Sequence, residues 1–218
     1  MFTIVAAWCD DNAKLDGTLQ PMTTAFPTES LISPESLTIL LSAHQSYHAV
    51  RPPSYDEVLT EIAERVREAE SIGKADIGAL LFWKRLRADT IWARALLELP
   101  EAKVRELTAP AVEGVNDLSL SVREAAVAGR KALSALPGFG SGDALASALL
   151  VAAAPHRMAI YDRRAQKGLK VIGVKLSPAR GRYGRYMEQV EAIRATAKAQ
   201  NHEWTARDVD LALYTLGA

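Results

Sequence analysis

The chain has little cysteine and no excess of charge of either sign. Cys9 is the only cysteine among 218 residues, so a disulfide within the chain is excluded and a reducing compartment is favoured. The 26 Lys and Arg residues are balanced by 26 Asp and Glu residues, which gives a formal net charge of zero. Because the chain as a whole is not basic, any affinity for nucleic acid has to come from a local concentration of positive charge.

Long apolar segments are also missing. No run approaches the roughly 18 apolar residues that a membrane-spanning helix needs. The apolar start of the chain has no basic segment before it, and Asp10 and Asp11 follow closely, which is not the pattern of a signal peptide. We therefore expect a cytoplasmic protein with no membrane partner.

Histidine offers only a weak metal-binding pattern. His44 and His48 are four residues apart on a predicted helix, but no glutamate follows His44 as in a zinc-protease motif. No third ligand stands out in the sequence, so we interpret the two histidines as a surface pair. The sequence accordingly predicts no metal and no cofactor.

The sequence does contain signals for the starts and ends of helices. Ser33 followed by Pro34 is typical of a helix start, and Ser54, Ser121 and Thr205 stand where capping residues are expected. We predict a helix after Ser33 and further helices over about 54–73, 75–87, 90–99, 121–135, 143–154, 184–200 and 205–216. Residues 1–32 are expected to form an N-terminal arm or loop, and 33–218 a single helical domain. Strand signals are weak and confined to residues 2–7 and 170–175, so the predicted fold is all-α with little or no sheet.

A short glycine-rich turn joins two of these helices. Residues 136–140 read Leu-Pro-Gly-Phe-Gly, between the predicted helices 121–135 and 143–154. Gly138 and Gly140 can adopt positive φ, and the backbone N–H groups of such a hairpin can hold a phosphate. The alternative is a plain corner between two helices, for which proline and glycine are equally suited.

A carboxylate follows the second of these helices. Asp162 comes directly after the apolar segment 158–161 and directly before Arg163 and Arg164. Burying a carboxylate at the edge of an apolar segment costs free energy unless it is paired with a cation or takes part in binding or catalysis. It either forms a structural ion pair with Arg157, Arg163 or Arg164, or faces a cleft and stabilises positive charge.

The order of hairpin, Ala-rich helix and aspartate resembles the helix-hairpin-helix (endonuclease III-like) DNA glycosylase superfamily. In that family a catalytic Asp follows the last hairpin glycine by roughly twenty residues, as Asp162 follows Gly140 here. The resemblance is concentrated in residues 119–175. It implies a two-lobed helical fold with the helix-hairpin-helix motif at about 121–154, and duplex DNA with a flipped base as the partner.

The resemblance also implies which residues act. Asp162 would be the catalytic residue, and the single cysteine excludes the four-cysteine iron–sulfur cluster of some members. Members that cut the DNA strand carry a lysine two residues after the last hairpin glycine, where this chain has Gly142, so a monofunctional enzyme is implied. The residues expected to bind DNA are Gly138, Gly140, Gly142, Arg163, Arg164, Arg182 and Arg185.

Two functions are compatible with these features. One is N-glycosidic bond hydrolysis in base excision, with Asp162 stabilising the sugar cation. The other is a non-catalytic DNA-binding or protein-interaction module on the same helical scaffold, with Asp162 held in ion pairs.

Overall fold

A computed structural model describes residues 32–218. The extended segment considered at residues 2–7, and the N-terminal arm up to residue 31, lie outside the described residues. The described part contains ten α-helices, one short 3-10 helix at Pro53–Asp56 and no strand, so the all-α prediction is confirmed. The helices are α1 Pro34–Val50, α2 Glu57–Ala69, α3 Lys74–Trp83, α4 Ile91–Glu98, α5 Glu101–Asn116, α6 Val122–Leu133, α7 Ala144–Ala153, α8 Arg163–Val171, α9 Arg182–Ala199 and α10 Ala206–Leu216.

Most of the predicted helix starts are confirmed by their capping hydrogen bonds. The Ser33 hydroxyl accepts from the Ser36 N–H at the start of α1. Ser121 and Thr205 each form a reciprocal capping box with the acidic residue three positions later. These side chains satisfy backbone donors that a helix leaves unpaired at its first turn, which is why the starts are readable in the sequence.

Three local predictions are wrong. Ser54 does not cap α2, because Pro53 begins a 3-10 turn and α2 starts only at Glu57. Helix α3 ends at Trp83 instead of residue 87, since Arg85 adopts a left-handed conformation with φ of 52°. The extended segment expected at 170–175 begins inside α8, which continues to Val171.

Helix α5 lies where no helix was predicted. Pro100 indicated the end of α4, yet it also serves as the N-cap of α5, and Pro110 is accommodated inside that helix. Proline at the start of a helix removes no needed donor, so it can separate two helices as well as end one.

The helices pack in two groups around a continuous core. Helix α1 packs on α10, and α10 packs on α8, while α2, α3, α5, α6 and α7 form the other group and α9 contacts α6 and α10. Helix α7 is buried from Ala146 to Ala153, as its apolar sequence predicts. The backbones of α8 and α10 approach so closely that a Cβ at Gly168 would meet the backbone of Leu213. None of the helices in the described part is both long and apolar enough to cross a membrane.

Candidate functional site

Asp162 lies at the start of α8 and caps it. Its Oδ1 accepts hydrogen bonds from the backbone N–H of Arg164 at 2.9 Å and of Ala165 at 3.0 Å. The helix dipole favours a negative charge at this position. One carboxylate oxygen of Asp162 is therefore fixed by the backbone of α8.

The other oxygen of Asp162 is held by a lysine that follows α3. The Nζ of Lys84 lies 2.9 Å from Asp162 Oδ2, and the side chains of Lys84 and Asp162 are only 15% and 18% exposed. Burial acts to raise the pKa of Asp162, but Lys84 and the two backbone donors outweigh it and hold that pKa below its ordinary value. The carboxylate is thus kept ionised in a place largely shielded from water.

The arginines considered as partners of Asp162 are used differently. The guanidinium of Arg157 donates to the carbonyl groups of Val115, Asp117 and Leu120. The guanidinium of Arg164 lies over the ring of Tyr214, at 4.6 Å from its centroid. Asp162 does form an ion pair, but the cation is Lys84 and none of the three arginines considered from the sequence.

A small cleft adjoins Lys84 between the two helix groups. Its volume is about 30 Å³, room for about one water molecule. Aromatic side chains form much of its wall. It is lined by Tyr47, Tyr55, Trp83, Lys84, Ile160, Arg207, Asp210, Leu211 and Tyr214. The cleft combines flat apolar surfaces with a few charged groups, but it is much smaller than the roughly 300–1,000 Å³ of typical ligand-binding sites.

A buried charge network forms the polar side of the cleft. The guanidinium of Arg207 bridges Asp56, at 3.0 Å, and Asp210, and lies over the ring of Trp83. Asp210 is 3% exposed. Burial raises the pKa of Asp210 to about 6, although Arg207 and Lys84 oppose the shift. Asp210 is the second carboxylate near Lys84, and its proton exchanges in a range where Asp162 stays charged.

The glycine-rich hairpin joins α6 to α7 as predicted. Gly138 and Gly142 have positive φ, of +85° and +79°, whereas Gly140 lies outside the left-handed region, contrary to expectation. Phe139 is buried and its ring meets the Trp92 ring edge-on, at 5.9 Å between centroids. Space is open beside Gly140 and Gly142, while Trp92 covers Gly138. The Cβ positions of Gly140 and Gly142 therefore face open space, whereas a Cβ at Gly138 would clash with Trp92.

Arg130 holds this hairpin from the α6 side. Its guanidinium donates to the carbonyl of Phe139 at 2.8 Å, to that of Gly142 at 3.0 Å and to Asp143 at 3.0 Å. Asp143 also pairs with Arg182, at 2.9 Å, and makes no capping hydrogen bond through its side chain. The two arginines neutralise the one acid at the start of α7, which leaves the first N–H groups of that helix for an outside acceptor.

The loop between α3 and α4 links the hairpin to Asp162. Lys84 at its start reaches Asp162, and residues further along it share a groove of about 310 Å³ with the hairpin. The groove is lined by Leu86, Arg87, Thr90, Trp92, Gly138, Phe139, Ser141, Gly142, Ala144, Leu145 and Ala146. The hairpin and the carboxylate are thus connected through residues 84–92.

The predicted DNA-binding arginines differ in whether their guanidinium groups already have partners within the protein. Arg163 is exposed on α8. Arg182 pairs with Asp143 and lies over the Tyr161 ring, at 5.2 Å from its centroid. Arg185 donates to the carbonyl groups of Ser177, Ala179 and Arg180, so its guanidinium fixes the preceding loop. Of these three, Arg163 is the one whose charge faces solvent.

Sequence reasoning missed Lys84, Arg207 and Asp210. Lys84 follows a predicted helix among other basic residues, and nothing local distinguishes it from them. For Asp210 a signal existed, because an acid flanked by Val209 and Leu211 lies on the apolar side of an amphipathic helix.

Comparison with known proteins adds no assignment to this geometry. No protein-family model, no curated protein and no solved structure matches the chain.

Proposed function

We propose that the chain is a DNA-binding, base-excision glycosylase-like protein that hydrolyses the N-glycosidic bond without cutting the strand. The observation that carries the proposal is the ionised carboxylate of Asp162, shielded from water and paired with Lys84 beside an aromatic cleft. A fixed negative charge in a poorly hydrated site is suited to stabilising a positive charge that develops during a reaction. The hairpin, connected to this carboxylate by residues 84–92, supplies a means of holding DNA.

The proposed reaction begins when a nucleotide leaves the base stack and reaches the cleft, which has to widen to admit a base because its volume is about 30 Å³. The rings of Tyr47, Tyr55 and Tyr214 offer flat surfaces for the base. As the bond between C1′ and the base nitrogen breaks, its electron pair leaves with the base and the sugar becomes cationic. Asp162 stabilises this cation and accepts a proton from the water that attacks C1′. The departing base takes up one proton from solvent, and Asp162 then returns its proton to solvent. The products are a free base and an abasic sugar in an intact strand.

DNA binding is assigned to the hairpin and to α8. The N–H groups near Gly140 and Gly142, together with the start of α7, form an anion-binding surface beside which Asp143 is already neutralised. Arg163 supplies exposed positive charge next to Asp162. Such contacts position the duplex irrespective of its sequence.

The alternative is a non-catalytic DNA-binding or protein-interaction module, and one observation favours it. Both oxygens of Asp162 already have partners, Oδ1 in the cap of α8 and Oδ2 in the pair with Lys84. In that function Asp162 only organises the fold. For catalysis, the cationic sugar has to share Oδ2 with Lys84.

An excision assay separates the two functions. Duplexes that each carry one damaged or mismatched base are incubated with the protein, and free bases are identified by mass spectrometry. We expect release of at least one base by wild type, an unbroken strand, and no adduct trapped by borohydride. Asp162→Asn should slow release by about 100-fold or more.

Glu203→Gln is the matched control, because it makes the same carboxylate-to-amide change at a side chain that is 81% exposed. Its activity should equal that of wild type. If the protein binds these duplexes but releases no base from any of them, the result would support the non-catalytic module. Strand breaks or a trapped adduct would contradict hydrolysis by water. They would indicate that a lysine amine attacks the sugar, with Lys84 as the nearest amine to Asp162.

A further inference from the structure

We infer that His44, His48 and Asp208 form a binding site for one divalent transition-metal ion, for which Zn²⁺ is the best fit. One ligand atom from each residue lies within 4.8 Å of the other two. Two imidazoles and one carboxylate are a ligand set that zinc accepts, with the fourth position left to water. This inference goes beyond the proposed function and does not depend on it.

The three ligands come from the first and last helices of the described chain. His44 and His48 lie on successive turns of α1, so both rings project from the same face. Asp208 stands in the first turn of α10. Because α1 packs along α10, the carboxylate meets the two rings although it is 164 residues away from His44. This separation is why the sequence offered no third ligand.

The distances between ligand atoms suit a bound ion. His44 Nε2 lies 2.9 Å from Asp208 Oδ1 and 3.2 Å from His48 Nε2. Ligands about 2.0–2.1 Å from a tetrahedral Zn²⁺ are separated from one another by about 3.3 Å. A small shift of the exposed His48 ring is enough to place an ion among the three atoms.

Hydrogen bonding satisfies this cluster only in part, because one Nε2 proton of His44 has to serve two neighbours. If His44 Nε2 carries a proton and donates it to Asp208, the same nitrogen has no lone pair to accept from His48. If it carries none, its lone pair accepts from His48 but faces the Asp208 carboxylate. A metal ion resolves the conflict, since all three atoms then act as electron-pair donors to it.

The surrounding residues fix the ligands in this orientation. Asp208 Oδ2 accepts from the Thr205 N–H at 2.7 Å and from its hydroxyl at 2.6 Å, which leaves Oδ1 to face the histidines. The His44 ring rests against Trp204, at 5.0 Å between centroids. Such second contacts orient ligands in metal sites.

A metal here would join α1 to α10 beside the aromatic cleft. Tyr47 on α1 and Arg207, Asp210 and Tyr214 on α10 line that cleft. The ion would therefore stabilise the packing of two helices that form opposite parts of its wall, which is the role of a structural rather than a redox site.

Titration of the purified chain with Zn²⁺ alone, after removal of metals with a chelator, tests the inference. Calorimetry should show one Zn²⁺ per chain for wild type. His48→Ala should weaken the affinity by about tenfold or more, and this exposed residue can be replaced without disturbing the core. Asp208→Asn should also weaken it, while His156→Ala, at an exposed histidine outside the cluster, should leave it unchanged.

Two further readouts make the result decisive. Co²⁺ should give ligand-field absorption bands in wild type that Zn²⁺ abolishes and that His48→Ala lacks. Zn²⁺ should also raise the melting temperature of wild type more than that of His48→Ala. Absence of Zn²⁺ binding to wild type, or equal affinity in wild type and His48→Ala, would overturn the inference whatever the outcome with DNA.

Discussion

Asp162 combines two physical roles that are separable by substitution. Its Oδ1 caps α8 through hydrogen bonds that a neutral amide oxygen can also accept, while its Oδ2 provides the negative charge that faces Lys84. The cap stabilises the helix, whereas only the charge can stabilise a cation. This separation allows the structural contribution of the residue to be measured without DNA.

Asparagine and alanine at position 162 should differ in stability. Asp162→Asn keeps the cap and loses the pair with Lys84, whereas Asp162→Ala loses both. We expect the alanine variant to have a free energy of unfolding about 1 kcal/mol lower than the asparagine variant, as for the loss of a helix cap. Urea unfolding followed by circular dichroism measures the difference. Equal stabilities would show that the capping hydrogen bonds contribute nothing.

Asp210 should give the protein a characteristic dependence on pH. Burial raises its pKa from an ordinary value of 3.8 to about 6, so the folded state binds its proton more tightly than the unfolded state does. The resulting stabilisation is complete below the unfolded pKa and is lost as the pH rises through the folded pKa. Relative to Asp210→Asn, wild type should therefore lose stability between about pH 4 and pH 6.

The free energies of unfolding of wild type and Asp210→Asn across this range provide the test of that pH dependence. Other titrating groups are common to both proteins and largely cancel in the difference. A difference that does not change with pH, or that grows in favour of wild type as the pH rises, would contradict the account of Asp210.

At the scale of elements, the hairpin depends on two glycines for different reasons. Gly142 has positive φ in open space, while Gly138 has positive φ and also lies against Trp92, whose atoms are 2.5 Å from the position of an added Cβ. Gly140 has neither restriction. The hairpin therefore contains its own control position.

A series of alanine substitutions in the hairpin should follow this order. Gly140→Ala is expected to be nearly neutral, and Gly142→Ala to cost about 1–2 kcal/mol for the left-handed backbone. Gly138→Ala adds a steric clash and should cost about 2–4 kcal/mol in total. Thermal or urea unfolding gives the order directly. A Gly140→Ala variant as unstable as Gly138→Ala would contradict the described hairpin.

Elements with local signals were predictable from the sequence, and others were not. The starts of α1, α6 and α10 follow from capping residues within four positions of each helix start. The end of α3 depends on the left-handed conformation of Arg85, and no local sequence pattern predicts that conformation. The partners of Asp162 and Asp208 were beyond prediction because Lys84 and His44 are 78 and 164 residues away from them.

At the scale of the whole molecule, the ends of the described chain meet to complete the cleft. Helix α10 packs on both α1 and α8, and it carries the buried pair of Arg207 and Asp210. The hairpin is linked to Asp162 through the loop 84–92 and through Arg182, which pairs with Asp143 and lies over the ring of Tyr161. The proposed function therefore requires both groups, although the net charge of the whole chain is zero.

The most direct test of this account is binding to a duplex that contains a cationic abasic-site analogue, compared with an undamaged duplex, for wild type and Asp162→Asn. The analogue mimics the sugar cation irrespective of the base. We expect wild type to prefer it by about 100-fold or more, and Asp162→Asn to lose that preference while retaining salt-sensitive binding to both duplexes. Equal affinity of wild type for the two duplexes would contradict the catalytic assignment of Asp162.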